Sequence, residues 1–371
     1  MKYYIIAGEA SGDLHGSNLI KELKKLDADA NIRCWGGNLM QNAGAELVKH
    51  YSELAFMGFI EVIKNLPAIL TNLKFCKKDI ESFQPDVLVM IDYPGFNLRI
   101  AKWAKEKNFK VIYYISPQVW AWKASRIKTI KEVVDKMLVI LPFEKEFYAK
   151  WDYKVEYVGH PLAQVINDFL REAPGHSISS RPIIAVLPGS RKQEVATKLP
   201  IMLSVVKDFP QYQFVVAKAP SLDDGFYEQL LKQYPDTQTI RNNTYGLLSQ
   251  AAAALVTSGT ATLETALFGV PQVVCYKGSP ISYHIAKRLV KIKYISLVNL
   301  IMNKKVVIEL IQNDLTTANV RRELEAVLHD PLQLEQIRKD YRELKDLLQQ
   351  QKNASARAAQ EIVGFLQATS L

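Results

Sequence analysis

The stretch Ala251–Val274, AAAALVTSGTATLETALFGVPQVV, decides how this chain folds. Ala253–Val256 is a short apolar run, the mark of a buried strand or its end. It stops at the small-residue turn Thr257-Ser258-Gly259-Thr260, and a helix follows to Phe268 with Ser258 or Thr260 as the expected N-cap. Gly269 fits the C-cap, Pro271 blocks continuation, and Gln272–Tyr276 reads as the next strand. Such a unit presents unpaired N–H donors and about half a positive charge above the turn, which suits a phosphate. Glu264, one turn further on, can bond sugar hydroxyls beside that phosphate, or simply compensate the helix dipole.

The same pattern opens the chain. Lys2–Ala7 (KYYIIA) is a strand, followed by Gly8-Glu9-Ala10-Ser11-Gly12-Asp13 and then by helical spacing at Leu19, Ile20, Leu23 and Leu26. A glycine-containing turn from strand to helix begins a doubly wound α/β domain, with ligand at the carboxyl end of the strand. Glu9 and Asp13 break the dinucleotide fingerprint, which argues against a nicotinamide dehydrogenase. Two carboxylates there would repel a pyrophosphate and suit a hydroxyl-rich or proton-losing ligand.

Asp86–Ile91 is wholly apolar after its first residue, as in a parallel sheet covered on both faces, and it ends at Asp92. That position makes Asp92 the leading candidate for a general base; its bland alternative is to cap a helix over Leu98–Lys105. The strand Lys110–Ile115 leads into Ser116–Trp122, where Trp120 and Trp122 are expected on a loop. There they form a contact surface for sugar or acyl chains, or else tuck into the core. Strands at Lys136–Leu141 and Val155–Val158 follow, and His160 is either catalytic or, as its place at a domain exit favours, a structural hydrogen-bonder. Asp27-Ala28-Asp29 falls at the amino end of the sheet and reads as turn chemistry, not a metal site.

Glu172–Arg181 (EAPGHSISSR) has linker composition. Beyond it, the strand Pro182–Leu187 runs into Pro188-Gly189-Ser190-Arg191, a second glycine turn that carries a cation. Arg191 offers bidentate donors to a diphosphate, a reading strengthened by pairing with Ser258–Thr260. Strands at Gln213–Ala217 and Thr237–Arg241 continue the alternation. Tyr294–Leu300 reads as strand-like and ends at Asn299, either a uracil or ribose contact or the cap of a helix over Lys305–Gln312. Thr316–Gln351 is amphipathic and helical, and Ala356–Leu366 is a final helix expected to pack back on the first domain. The fold expected is α/β: two Rossmann-like doubly wound domains facing across a cleft, over 1–172 and 173–352, with a helical tail over 353–371.

A chain of 371 residues exceeds what one core usually organises, and 48% hydrophobic with 23% charged residues is a globular balance. The net charge of +9 calls for an anionic partner. No nucleic-acid motif is present, so a phosphorylated substrate or an acidic membrane face leads. Cys34, Cys76 and Cys275 are odd in number and widely spaced, which suits a reducing cytosol and neither a disulfide frame nor a zinc site. The first apolar run is too short for a signal peptide, and no stretch reaches the ~18 apolar residues of a spanning helix. Within Leu54–Phe75, Phe59, Val62, Ile63, Leu66, Ile69, Leu70 and Leu73 follow a helical period interrupted by Pro67, with Lys64, Lys74, Lys77 and Lys78 close by. They form either core-packing helices or a patch that enters a membrane surface; the apolar density exceeds what one buried face needs and favours the patch.

Taken in order, GEASGD (Gly8–Asp13), IDYPGFN (Ile91–Asn97), SPQVWAW (Ser116–Trp122), LPFE (Leu141–Glu144), VGHP (Val158–Pro161), LPGSR (Leu187–Arg191), SGTATLE (Ser258–Glu264), AKRLVK (Ala286–Lys291) and YISLVNL (Tyr294–Leu300) resemble the lipid-A-disaccharide synthase family. Each is weak alone; their order over nearly the whole chain is specific. The resemblance implies an inverting glycosyltransferase of the B-type fold that needs no metal or other cofactor. Its donor is UDP-2,3-diacylglucosamine, its acceptor the 6-hydroxyl of 2,3-diacylglucosamine 1-phosphate, and it works at the cytoplasmic face of the inner membrane. On that reading Asp92 is the base, with Glu9 and Asp13 as positioning groups or rival bases. Gly189, Ser190, Arg191, Ser258, Gly259, Thr260, Glu264 and Asn299 hold UDP. Trp120, Trp122, Phe59, Ile63, Leu66, Ile69, Leu70 and Leu73 meet acceptor or lipid. Where family members often carry small residues after LPGSR, this chain has Lys192-Gln193-Glu194, and it has Val298 and Asn303-Lys304 where a Pro and a Gly-Arg are common. The expected partners are the two acylated sugars and an anionic membrane surface, with no nucleic acid; a homodimer stays open. The rival readings are a UDP-sugar 2-epimerase of the same fold and a non-catalytic membrane-associated nucleotide-binding module.

Overall fold

Short apolar runs without polar alternation build two parallel sheets in the computed structural model, which describes residues 1–54, 66–122, 126–172, 177–278, 293–349 and 353–369. The chain divides into two units, Met1–Pro161 with Gln350–Leu371, and Leu162–Gln349. The division falls before the Pro/Gly/Ser-rich stretch, so the helix Pro161–Arg171 goes almost wholly with the second unit and not, as the 1–172 boundary has it, with the first.

The first unit contains β1 (Lys2–Ala7), β2 (Asn31–Gly36), β3 (Glu46–His50), β4 (Val87–Ile91), β5 (Val111–Tyr114), β6 (Lys136–Val139) and β7 (Glu156–Tyr157), in the order β3-β2-β1-β4-β5-β6-β7. The second contains β8 (Ile183–Leu187), β9 (Gln213–Lys218), β10 (Gln238–Arg241), β11 (Ala251–Thr257), β12 (Gln272–Tyr276) and β13 (Ile308–Ile311), in the order β10-β9-β8-β11-β12-β13. β4 (VLVMI) and β8 (IIAVL) are buried along their whole length, as central strands covered on both faces must be. In each sheet the order reverses once, between β1 and β4 and between β8 and β11. At such a point the connections leave in opposite directions and open a crevice beyond the strands' carboxyl ends.

Local signals account for most elements. The helix Thr260–Leu267 ends as expected: Gly269 adopts φ 78° and donates to Ala266 O, while Val270 N donates to Thr265 O, a Schellman close. The segment around residues 294–312 differs from expectation. Leu297–Met302 is a helix, capped by the Ser296 hydroxyl, which accepts from Asn299 N, and residues 308–311 are β13 and not a helix. Ile308 and Ile311 are β-branched, and residues 308–311 find a parallel partner in β12, which outweighs the helical reading. β3, which periodicity does not reveal, is a half-exposed edge strand.

The C-terminal helix Ala354–Ala368 packs on the first unit against the helix Ala10–Leu26, burying Ala358, Ala359, Ile362 and Leu366. Its Glu361 pairs with Lys136 of β6 at 2.5 Å, a contact still partly open to water. Ile362→Ala is expected to cost about 2–4 kcal/mol, as large-to-small core changes do. Glu361→Ala is expected to cost less than about 1 kcal/mol, because a wet ion pair contributes little. Urea denaturation of both variants, followed in the first unit by tryptophan fluorescence, checks the ranking.

Candidate functional site

Each crevice is lined by the two turns that flank it. In the first unit β1 and β4 are paired, with Ala7 opposite Ile91, so their turns emerge side by side. Asp92 and Tyr93 both adopt left-handed backbone, φ 45° and 48°, which a Tyr in particular resists. The conformation is held from below: Tyr113 Oη and Asn97 Nδ2 both donate to the Asp92 carbonyl, and Asp92 N donates to Tyr114 O. Tyr93 lies against Gly8, where a Cβ would stand 2.4 Å from its ring, so only glycine lets the two turns interlock. Strained backbone so firmly supported is a feature of functional turns.

The interlocking turns bring the Glu9 and Asp92 carboxylates into each other's field. Burial first, and then Glu9, push the Asp92 carboxyl up to about 7, against the opposing pull of the Tyr93 N–H. Glu9 is the N-cap residue of the helix Ala10–Leu26 but makes no side-chain cap bond, and Tyr93, not Asp92, stands at the N-cap of Pro94–Glu106. Asp92 is therefore not spent on capping.

Asp13 is. Its two oxygens accept from the backbone N–H groups of Gly37 (2.8 Å), Leu39 (3.2 Å) and Met40 (3.0 Å), which fixes the short helix Asn38–Asn42 beneath β2's end. Its carboxylate is a structural anchor, and the reading of Asp13 as a rival base is set aside.

In the second unit Gly189 takes φ 120° at the end of β8, and Gly259 takes φ 139° at the end of β11. The N-cap of Thr260–Leu267 is Gly259, not Ser258 or Thr260, and no side chain caps it. Ser258 turns its hydroxyl away to donate to Ile295 O at 2.9 Å, which ties the turn to the segment before Leu297–Met302. Glu309 fixes that segment in turn, accepting from Ile295 N, Ser296 N and the Ser296 hydroxyl. Arg191 begins the helix Lys192–Leu203, more than half exposed, with Nη1 3.6 Å from Glu194 Oε1. Glu264 accepts from Tyr245 Oη at 3.1 Å, and burial raises its pKa, while that bond works the other way.

Asn299 is buried, and both ends of its amide are occupied. Nδ2 donates to Val307 O and Glu309 Oε1, and Oδ1 accepts from Val306 N and Val307 N. It joins a helix to β13 and does not present itself to a base or a ribose. Trp120 stands on a short helix, Val119–Trp122, and not on an open loop, half-buried and edge-on to Phe143 at 5.1 Å. The helix Leu66–Phe83 splits the expected lipid contacts: Leu73 is buried and Ile69 packs on the core, while Leu70 and Phe75 are 49% and 47% exposed beside Lys74 and Lys78. Leu73 thus belongs to the core and not to a lipid surface. Phe59, Ile63, the side chains of Leu66 and Trp122, and the AKRLVK stretch lie outside the described residues.

Three further polar groups are buried: Glu144, His160 and Lys198. Glu144 accepts from Leu141 N at 2.9 Å, and burial pushes its carboxyl up to about 7. His160, next to His15, is held neutral by burial, its pKa near 3. Lys198 lies 2% exposed below the β8 and β11 turns. A lysine in the middle of a helix carries no sequence signal of burial, so only the packing reveals it. Among the described residues no group of three or more His, Cys, Asp or Glu is placed to hold a metal ion, and no helix is long and apolar enough to cross a membrane.

Comparison with known proteins fits this arrangement. Among solved structures the chain is similar to the UDP-GlcNAc 2-epimerase of Neisseria meningitidis bound to UDP-GlcNAc, with a TM-score of 0.69 at 13% identity over 98% of this chain and 100% of that one. It is also similar to the glycotransferase of kitacinnamycin, with a TM-score of 0.67 at 15% identity over 98% and 99%. At such identities the likeness is one of fold, the two-domain parallel α/β architecture of B-type glycosyltransferases. In sequence it is 39% identical over 343 residues to the lipid-A-disaccharide synthase of Geobacter metallireducens, covering 90% of this chain and 89% of that protein. A family model described as lipid-A-disaccharide synthetase matches residues 3–363. The chain belongs to the lipid-A-disaccharide synthase family of glycosyltransferases.

Proposed function

We propose that this protein moves 2,3-diacylglucosamine from its UDP derivative to the 6-hydroxyl of 2,3-diacylglucosamine 1-phosphate, with inversion, releasing UDP and a β-1,6-linked disaccharide. The observation that carries the reading is that each sheet's point of reversal holds the charge one half of this reaction needs. An acceptor hydroxyl is a poor nucleophile until its proton is taken. Asp92, with a carboxyl pushed up to about 7, accepts that proton, and Glu9 positions the sugar beside it. The freed oxygen attacks the donor's anomeric carbon while the bond to the diphosphate breaks. Negative charge then gathers on the departing UDP, where Arg191 and the N–H groups of Gly259–Ala261 at the uncapped helix start receive it. Ser190 and Gly189 shape the turn, and Glu264 bonds the ribose hydroxyls.

Both sugars carry acyl chains, so the protein works against a membrane surface, at the cytoplasmic face of the inner membrane. Leu70 and Phe75, exposed beside Lys74 and Lys78, form the described part of the contact, with apolar groups entering the interface and ammonium groups meeting anionic headgroups.

Asp92→Asn is expected to lower kcat by about 10²–10⁴, the usual worth of a general base, with UDP affinity unchanged. In the parent enzyme kcat/KM should climb as pH rises through about 7 and then level off, because Asp92 acts only when deprotonated. Near-wild-type turnover in Asp92→Asn, or a flat profile between pH 6 and 8, would remove Asp92 from the role. Arg191→Ala is expected to weaken UDP binding in calorimetry by about tenfold or more, the loss of a charge-assisted contact. Lys74→Glu combined with Lys78→Glu should reduce co-sedimentation with phosphatidylglycerol vesicles at low salt, and undiminished sedimentation would rule this face out.

A further inference from the structure

Lys198 stands at the centre of a helix and is 2% exposed. Burial lowers its pKa, with Glu194 opposing. Two groups compensate it. Nζ donates to the hydroxyl of Thr257, the last residue of β11, and Glu194 Oε2 lies 3.8 Å away. That glutamate's other oxygen is 3.6 Å from Arg191 Nη1, so one carboxylate stands between the buried and the exposed cation. Both separations exceed hydrogen-bond length, and the pairing is held by field rather than by contact. Glu194 also fills the space above Gly189, where a Cβ would meet Oε2 at 2.7 Å and Thr257 Cγ2 at 3.6 Å. Gly189, Glu194, Lys198 and Thr257 are therefore one cluster, set between the ends of β8 and β11.

The hydrogen-bond roles in this cluster are forced. An ammonium has donors and no acceptor, so the Thr257 hydroxyl must accept from Lys198. Its own proton is then directed away from Lys198, at the residue that enters the Ser258-Gly259-Thr260 turn.

We propose that Lys198 is a positioning residue of the diphosphate site: it sets the Thr257 hydroxyl as a donor to a diphosphate oxygen and, through Glu194, holds Arg191 over the turn. The inference rests on the reading of this turn as the UDP diphosphate site, and it adds two residues that do different work. Lys198 touches no ligand and acts through Thr257 and Glu194. Thr257 supplies one hydrogen bond that a valine, of the same shape, cannot.

Calorimetric titration of UDP into the full-length protein tests this, with circular dichroism confirming the fold of each variant. Lys198→Met and Thr257→Val are each expected to weaken UDP binding by tenfold or more, and the double variant should bind no worse than Lys198→Met alone. Thr257→Ser, which keeps the hydroxyl, should retain affinity within about threefold, and a purely structural role for the threonine would not predict that rescue. In turnover assays the loss should appear in KM for the UDP-sugar more than in kcat. A folded Lys198→Met or Thr257→Val protein with wild-type affinity overturns the proposal. So do losses that simply multiply in the double variant, since independent sites behave that way. If Lys198→Met fails to fold, the contrast between Thr257→Val and Thr257→Ser decides alone. Absence of UDP binding to the unmutated protein would instead sink the underlying reading of the turn.

Discussion

Parallel pairing of β1 with β4 and of β8 with β11 is the constraint on which the rest of this molecule depends. A parallel neighbour cannot be reached by a tight turn, so each strand hands the chain to a helix on one face or the other. Where the direction of travel reverses, neither connection covers the strand ends. The peptide groups and side chains exposed there are those of two turns distant in sequence and adjacent in space, Gly8–Asp13 with Asp92–Asn97, and Gly189–Arg191 with Thr257–Thr260. The proposed base and most of the proposed diphosphate contacts stand in those four turns.

The two crevices differ in the charged groups they hold. The first holds two carboxylates and is wedged by the Tyr93 ring on Gly8, so Asp92 is deprived of solvent and burdened by a like charge. Both effects favour the proton-bearing form and make the group a competent base near neutrality. The second holds Arg191, the buried Lys198 and an uncapped helix start, with Glu194 between the two cations and the buried Glu264 one turn along the helix. In the proposed reaction, an acceptor that must lose a proton and a leaving group that must gain negative charge would ask for these two fields. Neither field would serve the other half of the reaction.

Polar residues near the turns are divided between chemistry and construction. Asp13 and Asn299 have every appearance of ligands in the linear sequence, yet three backbone donors occupy the first, and the second bridges Val306, Val307 and Glu309. Backbone groups left unpaired at turns and helix starts must be satisfied, and a short polar side chain is the cheapest means. The chain of contacts from Asn299 through Glu309 to Ile295 and on to Ser258 shows how such construction still matters, since it fixes the turn on which the phosphate reading depends.

The sequence by itself determined the βα alternation, because apolar runs of five or six residues closed by glycine turns have few other ways to bury themselves. Gln272–Tyr276 and Lys2–Ala7 are strands at the very residues their composition marks, and Gly269 closes its helix by a local rule. The placement of Asp92 at a strand's carboxyl end was legible for the same reason. Tertiary structure alone decided what needs neighbours distant along the chain. Strand order put Glu9 beside Asp92, pairing with β12 made a strand of residues 308–311, and packing buried Lys198 and occupied Asp13 and Asn299. Propensity is a property of a residue and the few on either side of it, whereas burial, pairing and the satisfaction of a hydrogen bond are properties of whatever the fold brings near.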